Sequence, residues 1–277
     1  MAGTLYLVPT PIGNLGDLSP RAAEALASAG FLAVEDTRVT VKLLNHLQLK
    51  KTMVIYHRHN ADTAGPAILH RLLDGENCAL VTDAGTPAIS DPGEALVALC
   101  AANGVEVVSI PGPCALITAL AASGLPTGRF TFEGFLPVNK KNRRARLGGL
   151  AAEERTMIFY EAPHKLRETL NDLCSAFGPE RRVCLCRELT KLHEQTLRTT
   201  LGGAAEHFMQ NEPRGEFVLV VEGTAPQVRE SDPEAALERV FALREQGLSL
   251  KAAARQAGEE FGLGKKLLYD LAVERER

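Results

Sequence analysis

Thr82-Asp-Ala-Gly-Thr-Pro-Ala-Ile-Ser-Asp-Pro-Gly93 follows a short apolar run, Cys78–Thr82, and leads into an apolar helical segment, Gly93–Ala102. A loop of this length is far longer than a strand-to-helix connection needs, and loops of that kind are commonly functional. The same order recurs on both sides of it. Apolar runs at Thr4–Pro9, Phe31–Glu35, Thr52–Tyr56 and Val105–Ile110 alternate with helix-period segments at Arg21–Ser28, Ala61–Leu73 and Ala115–Ser123. Strand–helix alternation of this type predicts a mostly parallel sheet covered by helices on both faces. Ser19-Pro20 reads as an N-cap followed by proline at the first helical position. Asp91-Pro-Gly-Glu94 reads as a capping-box-like start.

Beyond the turn-rich Ser123–Gly128, a second α/β unit follows. It has strands at Phe130–Phe135, Met157–Tyr160, Arg182–Arg187 and Phe217–Glu222, some of them expected to be antiparallel. Helices are expected at Ala162–Ala176 and Ala204–Gln210. A polar run, Thr224–Pro233, precedes a helical tail in which Ser249 caps Leu250–Phe261 and Gly262-Leu-Gly264 turns into Lys265–Glu274. Two helices joined by a short glycine turn fit a helix-turn-helix, and equally a plain helical cap. The expected domains are 1–123, 129–223 and 232–277, which suits 277 residues, since domains run roughly 100–150 residues.

A net charge of −3 and 45% hydrophobic residues predict a globular protein that meets nucleic acid only through a local basic cluster. No apolar run approaches the ~20 residues of a membrane span, and the first ten residues lack a basic leader region. Cys78, Cys100, Cys114, Cys174, Cys184 and Cys186 sit at irregular spacings without CxxC. They read as reduced thiols of a cytoplasmic protein, and no metal site is expected.

Three loops follow strands of the first unit: Thr10–Asp17, Asp83–Gly93 and Pro111–Ala115. In open α/β sheets ligands settle beyond the carboxyl ends of strands, where glycine and proline let the backbone approach them. The loops lack the dinucleotide and P-loop fingerprints. Their carboxylates, Asp17, Asp83 and Asp91, suit a ligand with an amino group and ribose hydroxyls better than one with phosphates. Asp91 reads equally as a helix cap.

TPIGNLGDLS (Thr10–Ser19), EDTR (Glu35–Arg38), TDAGTPAISDPG, IPGPCA (Ile110–Ala115), FEGFLP (Phe132–Pro137), YEAPHKL (Tyr160–Leu166), RELTKLHE (Arg187–Glu194) and RGEFVLVVEG (Arg214–Gly223) occur in this order. The set resembles the ribosomal RNA small subunit methyltransferase I family, within the tetrapyrrole-methylase-like, class III methyltransferases. The resemblance implies two αβα domains with a small helical extension, S-adenosylmethionine in the cleft between them, and a homodimer. It also implies 2'-O-methylation of a decoding-centre cytidine (C1402) in 16S rRNA. The cofactor contacts it implies are Pro11, Gly85, Thr86, Pro87, Asp91, Cys114, Ala115 and Tyr160, and Asp83 joins them as a loop carboxylate. Cys114 stands where serine is usual, Val138 where a basic residue often follows FLP, and Lys165 where arginine is common.

The ribose hydroxyl must lose a proton, and Glu161 and His164 are the favoured acceptors, with Glu188 and Asp36 as further carboxylates. Lys140, Lys141, Arg143, Arg144 and Arg146 form an acid-free basic segment expected to contact RNA phosphates. The competing readings are a tetrapyrrole methyltransferase of the same fold and a non-catalytic RNA-binding factor of ribosome assembly.

Overall fold

The computed structural model describes residues 1–225 and 232–276. In chain order the first half forms β1 (Thr4–Leu7), α1 (Pro20–Ser28), β2 (Phe31–Val34), α2 (Thr37–His46), β3 (Thr52–Ile55), α3 (Ala61–Leu73), β4 (Cys78–Val81), α4 (Glu94–Ala102), β5 (Glu106–Ser109) and α5 (Ala115–Ser123). The second half adds β6 (Phe130–Phe135), α6 (Lys140–Leu150), β7 (Thr156–Glu161), α7 (Pro163–Phe177), β8 (Arg182–Arg187), β9 (Gln195–Thr200), α8 (Leu201–Gln210) and β10 (Phe217–Val221). These elements make one compact unit, Met1–Gly223. The helices α9 (Pro233–Glu245), α10 (Leu250–Phe261) and α11 (Lys265–Arg275) make a second, Thr224–Arg277. Much of the polar run between them, residues 226–231, lies outside the described residues.

The first sheet is wholly parallel, in the order β3-β2-β4-β1-β5. β2 and β4 are buried along their whole length, as parallel strands covered on both faces must be. Leu26 of α1 and Leu43 of α2 pack on one face with Val8, Leu32 and Val81. Ile68 of α3 and Leu96 of α4 pack on the other with Leu5, Phe31 and Leu80. The neighbouring strands β1 and β4 therefore send their chains to opposite faces. Such a divergence opens a crevice at the strands' carboxyl ends.

The second sheet runs β6-β7-β10-β8-β9, with β6 parallel to β7 and the remaining pairs antiparallel. One face packs on α7 and α8 through Leu166, Leu170, Leu201 and Phe208. The other is covered by α5, whose Leu116, Ala119 and Leu120 meet Ile158, Cys184 and Val220. Helix α5 thus follows the first sheet in the chain but packs on the second. The tail encloses a small core of its own around Val240, Ala254 and Leu268, and Ser249 caps α10 by accepting from Ala252 N.

Sequence reading misses three elements: α2, α6 and β9. Ser19 caps α1 as expected, its side chain accepting from Ala22 N. The expected capping box at Asp91 is absent, because the cap of α4 is Gly93, at φ 146°, with no side-chain hydrogen bond. Pro92 and the glycine rotate the chain so that the Asp91 carboxylate is free of the helix end. A Cβ at position 93 would lie 3.0 Å from Ala88 N and from Leu80 Cδ2, in a backbone region that L-residues rarely adopt. Gly93→Ala is expected to cost roughly 1–3 kcal/mol of stability, read as a lower urea midpoint with an unchanged m value.

Candidate active site

Thr10 N donates to Gly85 O at 2.9 Å and Gly85 N to Thr10 O at 3.0 Å, an isolated antiparallel bridge that ties the loop after β1 to the loop after β4. The long loop is strained. Gly85, Ala88, Ser90 and Gly93 all have positive φ, and two of them are not glycine. Thr86 Oγ1 donates to Pro113 O at 2.8 Å, and Arg58 donates to Ser90 O, so neighbouring segments hold the strained form in place. Strain of this kind persists only where surroundings over-determine it, and it clusters at ligand sites.

These loops wall a cavity of about 530 Å³, within the range of small-molecule sites. Gly85, Thr86, Asp91, Cys114, Ala115, Tyr160, Glu161 and His164 all line it, so eight residues singled out in sequence converge on one space. Pro11 and Asp83 line an adjoining cavity instead, and Pro87 lines neither. Ile12, Ile89, Phe135, Leu189 and Glu216 also line the first cavity and were not anticipated. Phe135 and Glu216 lie inside the motifs FEGFLP and RGEF, but their roles depend on a meeting of the two halves that no local pattern encodes.

Tyr160 joins those halves. Its hydroxyl accepts from Leu116 N, near the start of α5, at 3.1 Å, and its ring packs edge-on against Phe132 and Phe135. Burial pushes the phenol up, so it stays neutral. Gly13 allows a second close approach. A Cβ there would lie 2.4 Å from Lys191 Cγ and 2.8 Å from Thr190 Oγ1, in the loop between β8 and β9.

The lining is mostly apolar, and its carboxylates are Asp91, Glu161 and Glu216. Asp91 is half-buried and makes no hydrogen bond among the described residues. Burial, then the nearby Glu35, push its carboxyl up to about 6, with Arg58 opposing. Glu35 and Asp83 are likewise raised, mainly by burial. A carboxylate cluster of this kind calls for a cationic or hydroxyl-bearing ligand.

The four expected proton acceptors separate clearly. Glu161 is buried, and both its oxygens are filled, one by Ala162 N at 2.9 Å and one by Thr169 Oγ1 at 2.6 Å; it anchors the start of α7. Asp36 caps α2 and is gripped by Arg38, which holds it down to about 2. Glu188 accepts from Lys191 Nζ and Glu216 N. His164 is exposed at the cavity edge and makes no hydrogen bond among the described residues.

The basic segment forms α6, and it divides as well. Arg143 is corrected from surface contact to structural residue: it is 4% exposed, with its guanidinium on Asp172 at 2.8 Å and Glu168 at 2.5 Å. The pairing is what makes its burial tolerable. Arg144 and Arg146 are exposed but paired with Asp172 and Glu133. Lys140 and Lys141 are exposed without an ion pair among the described residues.

The model of the tetrapyrrole (corrin/porphyrin) methylases matches residues 4–205, which hold the whole first sheet and four of the five strands of the second. The chain belongs to this family. A second model, the RsmI C-terminal HTH domain, matches residues 231–276. The chain is 50% identical to the ribosomal RNA small subunit methyltransferase I of Synechocystis, with 99% of each chain covered. It is 48% identical to that of Xylella fastidiosa, over 96% of this chain and 98% of the relative. Uroporphyrin-III C-methyltransferase from Thermus thermophilus, complexed with S-adenyl homocysteine, shares the fold with a TM-score of 0.55 at 20% identity. That match covers 79% of this chain and 97% of the other.

The chain is a methyltransferase dependent on S-adenosylmethionine. The cavity suits that cofactor. Asp91 offers an unsatisfied carboxylate to an amino or ribose hydroxyl group, and Cys114 and Ala115 bring the positive end of α5 to the wall.

Folding favours the protonated form of Asp91, since its carboxyl ionises near pH 6 in the fold against an ordinary 3.8. Its stabilising effect is complete below about pH 4 and lost as pH rises through about 6. Asp91→Asn is therefore expected to stabilise the cofactor-free protein at pH 7.5 by about 1 kcal/mol, discounted for a half-exposed group, and to change little at pH 4. The same variant should bind S-adenosylmethionine more weakly, and wild-type affinity should rise with pH through about 6. Thermal denaturation and calorimetric titration at the two pH values read both effects.

Proposed function

We propose that the protein transfers a methyl group from S-adenosylmethionine to the ribose 2'-oxygen of the decoding-centre cytidine C1402 in 16S rRNA, acting as a cytoplasmic homodimer on the small ribosomal subunit. The observation that carries this reading is half-identity over nearly the full length of relatives named for small-subunit rRNA methylation, helical tail included. The tetrapyrrole reading rests on solved structures at 20% identity or less, which speak for the fold alone.

The bound cofactor supplies an electrophilic methyl group on a sulfonium. What remains for the protein is to orient two reactants, which can contribute about 7–11 kcal/mol, against roughly 10²–10⁴-fold for a general base. The strained loops and the Tyr160 contact hold the cleft walls rigid, so orientation dominates. His164, whose ring nitrogens are not tied up, is the proton acceptor; Glu161 holds the strand-to-helix turn that presents it.

Lys140 and Lys141 support RNA contact from an energetic direction. Two cations at the N-terminus of α6 oppose the helix dipole, a placement that an arriving phosphate relieves. In the tail, Lys251, Arg255, Lys265 and Lys266 are exposed and carry no ion pair among the described residues.

Labelled S-adenosylmethionine and small subunits with unmodified RNA test the reading directly. Label should map to the 2'-oxygen of that cytidine; absence of transfer alongside tight cofactor binding would overturn it. His164→Ala should lower turnover by about 10²–10⁴-fold with cofactor affinity unchanged. Glu161→Ala should chiefly lower stability, by roughly 1–3 kcal/mol, because two donors lose their acceptor.

A further inference from the structure

A second cavity, of about 600 Å³, opens over the carboxyl ends of β1 and β4 and shares Ile12, Ala84 and Glu216 with the cofactor cavity. A molecule held there lies one side chain away from a molecule held in the first. The two spaces differ in chemistry. The cofactor cavity has no lysine or arginine in its wall, whereas the second receives Lys42 from α2 and Lys191 from the β8–β9 loop, together with Asp83.

The two lysines have different duties. Lys191 Nζ is held by Glu188 at 2.9 Å and by Glu216 at 2.8 Å. This pairing fixes Glu216 on the wall common to both cavities. The loop carrying Lys191 is itself strained, with Glu188 at φ 52° and Thr190 at φ 65°, and it rests against Gly13. Lys42 is exposed and makes no hydrogen bond or ion pair among the described residues. A free ammonium and an exposed carboxylate lining one space describe a ligand that is anionic in one part and donates hydrogen bonds from another. A ribonucleotide has that polarity, with its phosphate at one end and ribose hydroxyls or an exocyclic amine at the other. A ring bearing several carboxylates does not, because it would face Asp83 and Glu216 with one free lysine to receive it.

We propose that this second cavity is the acceptor subsite, taking the target ribonucleotide with a flanking phosphate on Lys42 and its hydrogen-bond donors toward Asp83. The proposal rests on the RNA-methylation reading above and adds the place where the acceptor sits. The raised carboxyl of Asp83 agrees with it, since a donor arriving there offsets its partial desolvation and the repulsion from Asp36.

The test uses the full chain, unmodified small subunits, and the variants Lys42→Ala and Val39→Phe, the latter filling the cavity from α2 without touching a charge. Lys50→Ala, an exposed lysine outside the cavity, serves as the charge-matched control. Both cavity variants should raise KM for the subunit on the order of tenfold, while leaving calorimetric S-adenosylmethionine affinity within about twofold. Lys42→Ala alone should also reduce the salt slope of RNA binding by about one. Unchanged KM and slope in both variants would overturn the subsite and leave the RNA reading standing. A parallel fall in cofactor affinity would overturn it too, assigning the space to the cofactor. A wild-type protein that methylates no RNA would remove the parent reading and the subsite with it.

Discussion

The pair of hydrogen bonds between Thr10 and Gly85 is the constraint on which the site depends. Strands β1 and β4 are neighbours whose following helices lie on opposite faces, so their loops would otherwise diverge into solvent. The bridge ties them across the crevice and leaves a cavity on each side. Left-handed backbone at Ala88 and Ser90 follows from the same restriction: the loop is tied to Thr10 at one end and must enter α4 at the other. Each non-glycine residue in that region costs on the order of 1–3 kcal/mol, and the rest of the fold compensates for it.

Partial desolvation of carboxylates that have no ion pair among the described residues gives the site its electrostatic character. Glu35, Asp83 and Asp91 lie near the carboxyl ends of β2 and β4; Asp83 raises Glu35, both raise Asp91, and Asp36 raises Asp83. Most carboxylates outside this region are treated differently. Asp172 and Glu133 are matched with arginines, and Glu161 with backbone and hydroxyl donors. The fold pairs its structural charges and leaves Asp91 unmatched at the cavity, the arrangement expected where a ligand completes the pairing.

Helix α5 couples the two sheets mechanically. It follows β5 in the chain, presents Cys114 and Ala115 to the cavity that Asp91 and Tyr160 also line, and buries its apolar side on the second sheet. Tyr160 closes the link by accepting from Leu116 N. Displacement of one sheet relative to the other would therefore move both walls of the cleft at once.

Much was legible in the amino-acid order. Continuous apolar runs such as Cys78–Val81 and Phe217–Val221 identify buried strands because both of their faces must be covered. The glycine- and proline-rich loops mark where a backbone approaches a ligand. What escaped has local physical reasons. Thr37–His46 is rich in β-branched residues, and its burial against the sheet overrides a weak helix propensity. Lys140–Leu150 is so polar that only Arg143 and Leu147 mark its inner face. Gln195–Thr200 is an edge strand, half exposed along its length. The composition of the loops was determined by sequence alone. Tertiary structure decided that Asp91 is not a cap, that Arg143 is buried in an ion-pair cluster, and that Pro11 and Asp83 face a second cavity. Each of those outcomes depends on which distant segment arrives alongside, and no local pattern specifies that.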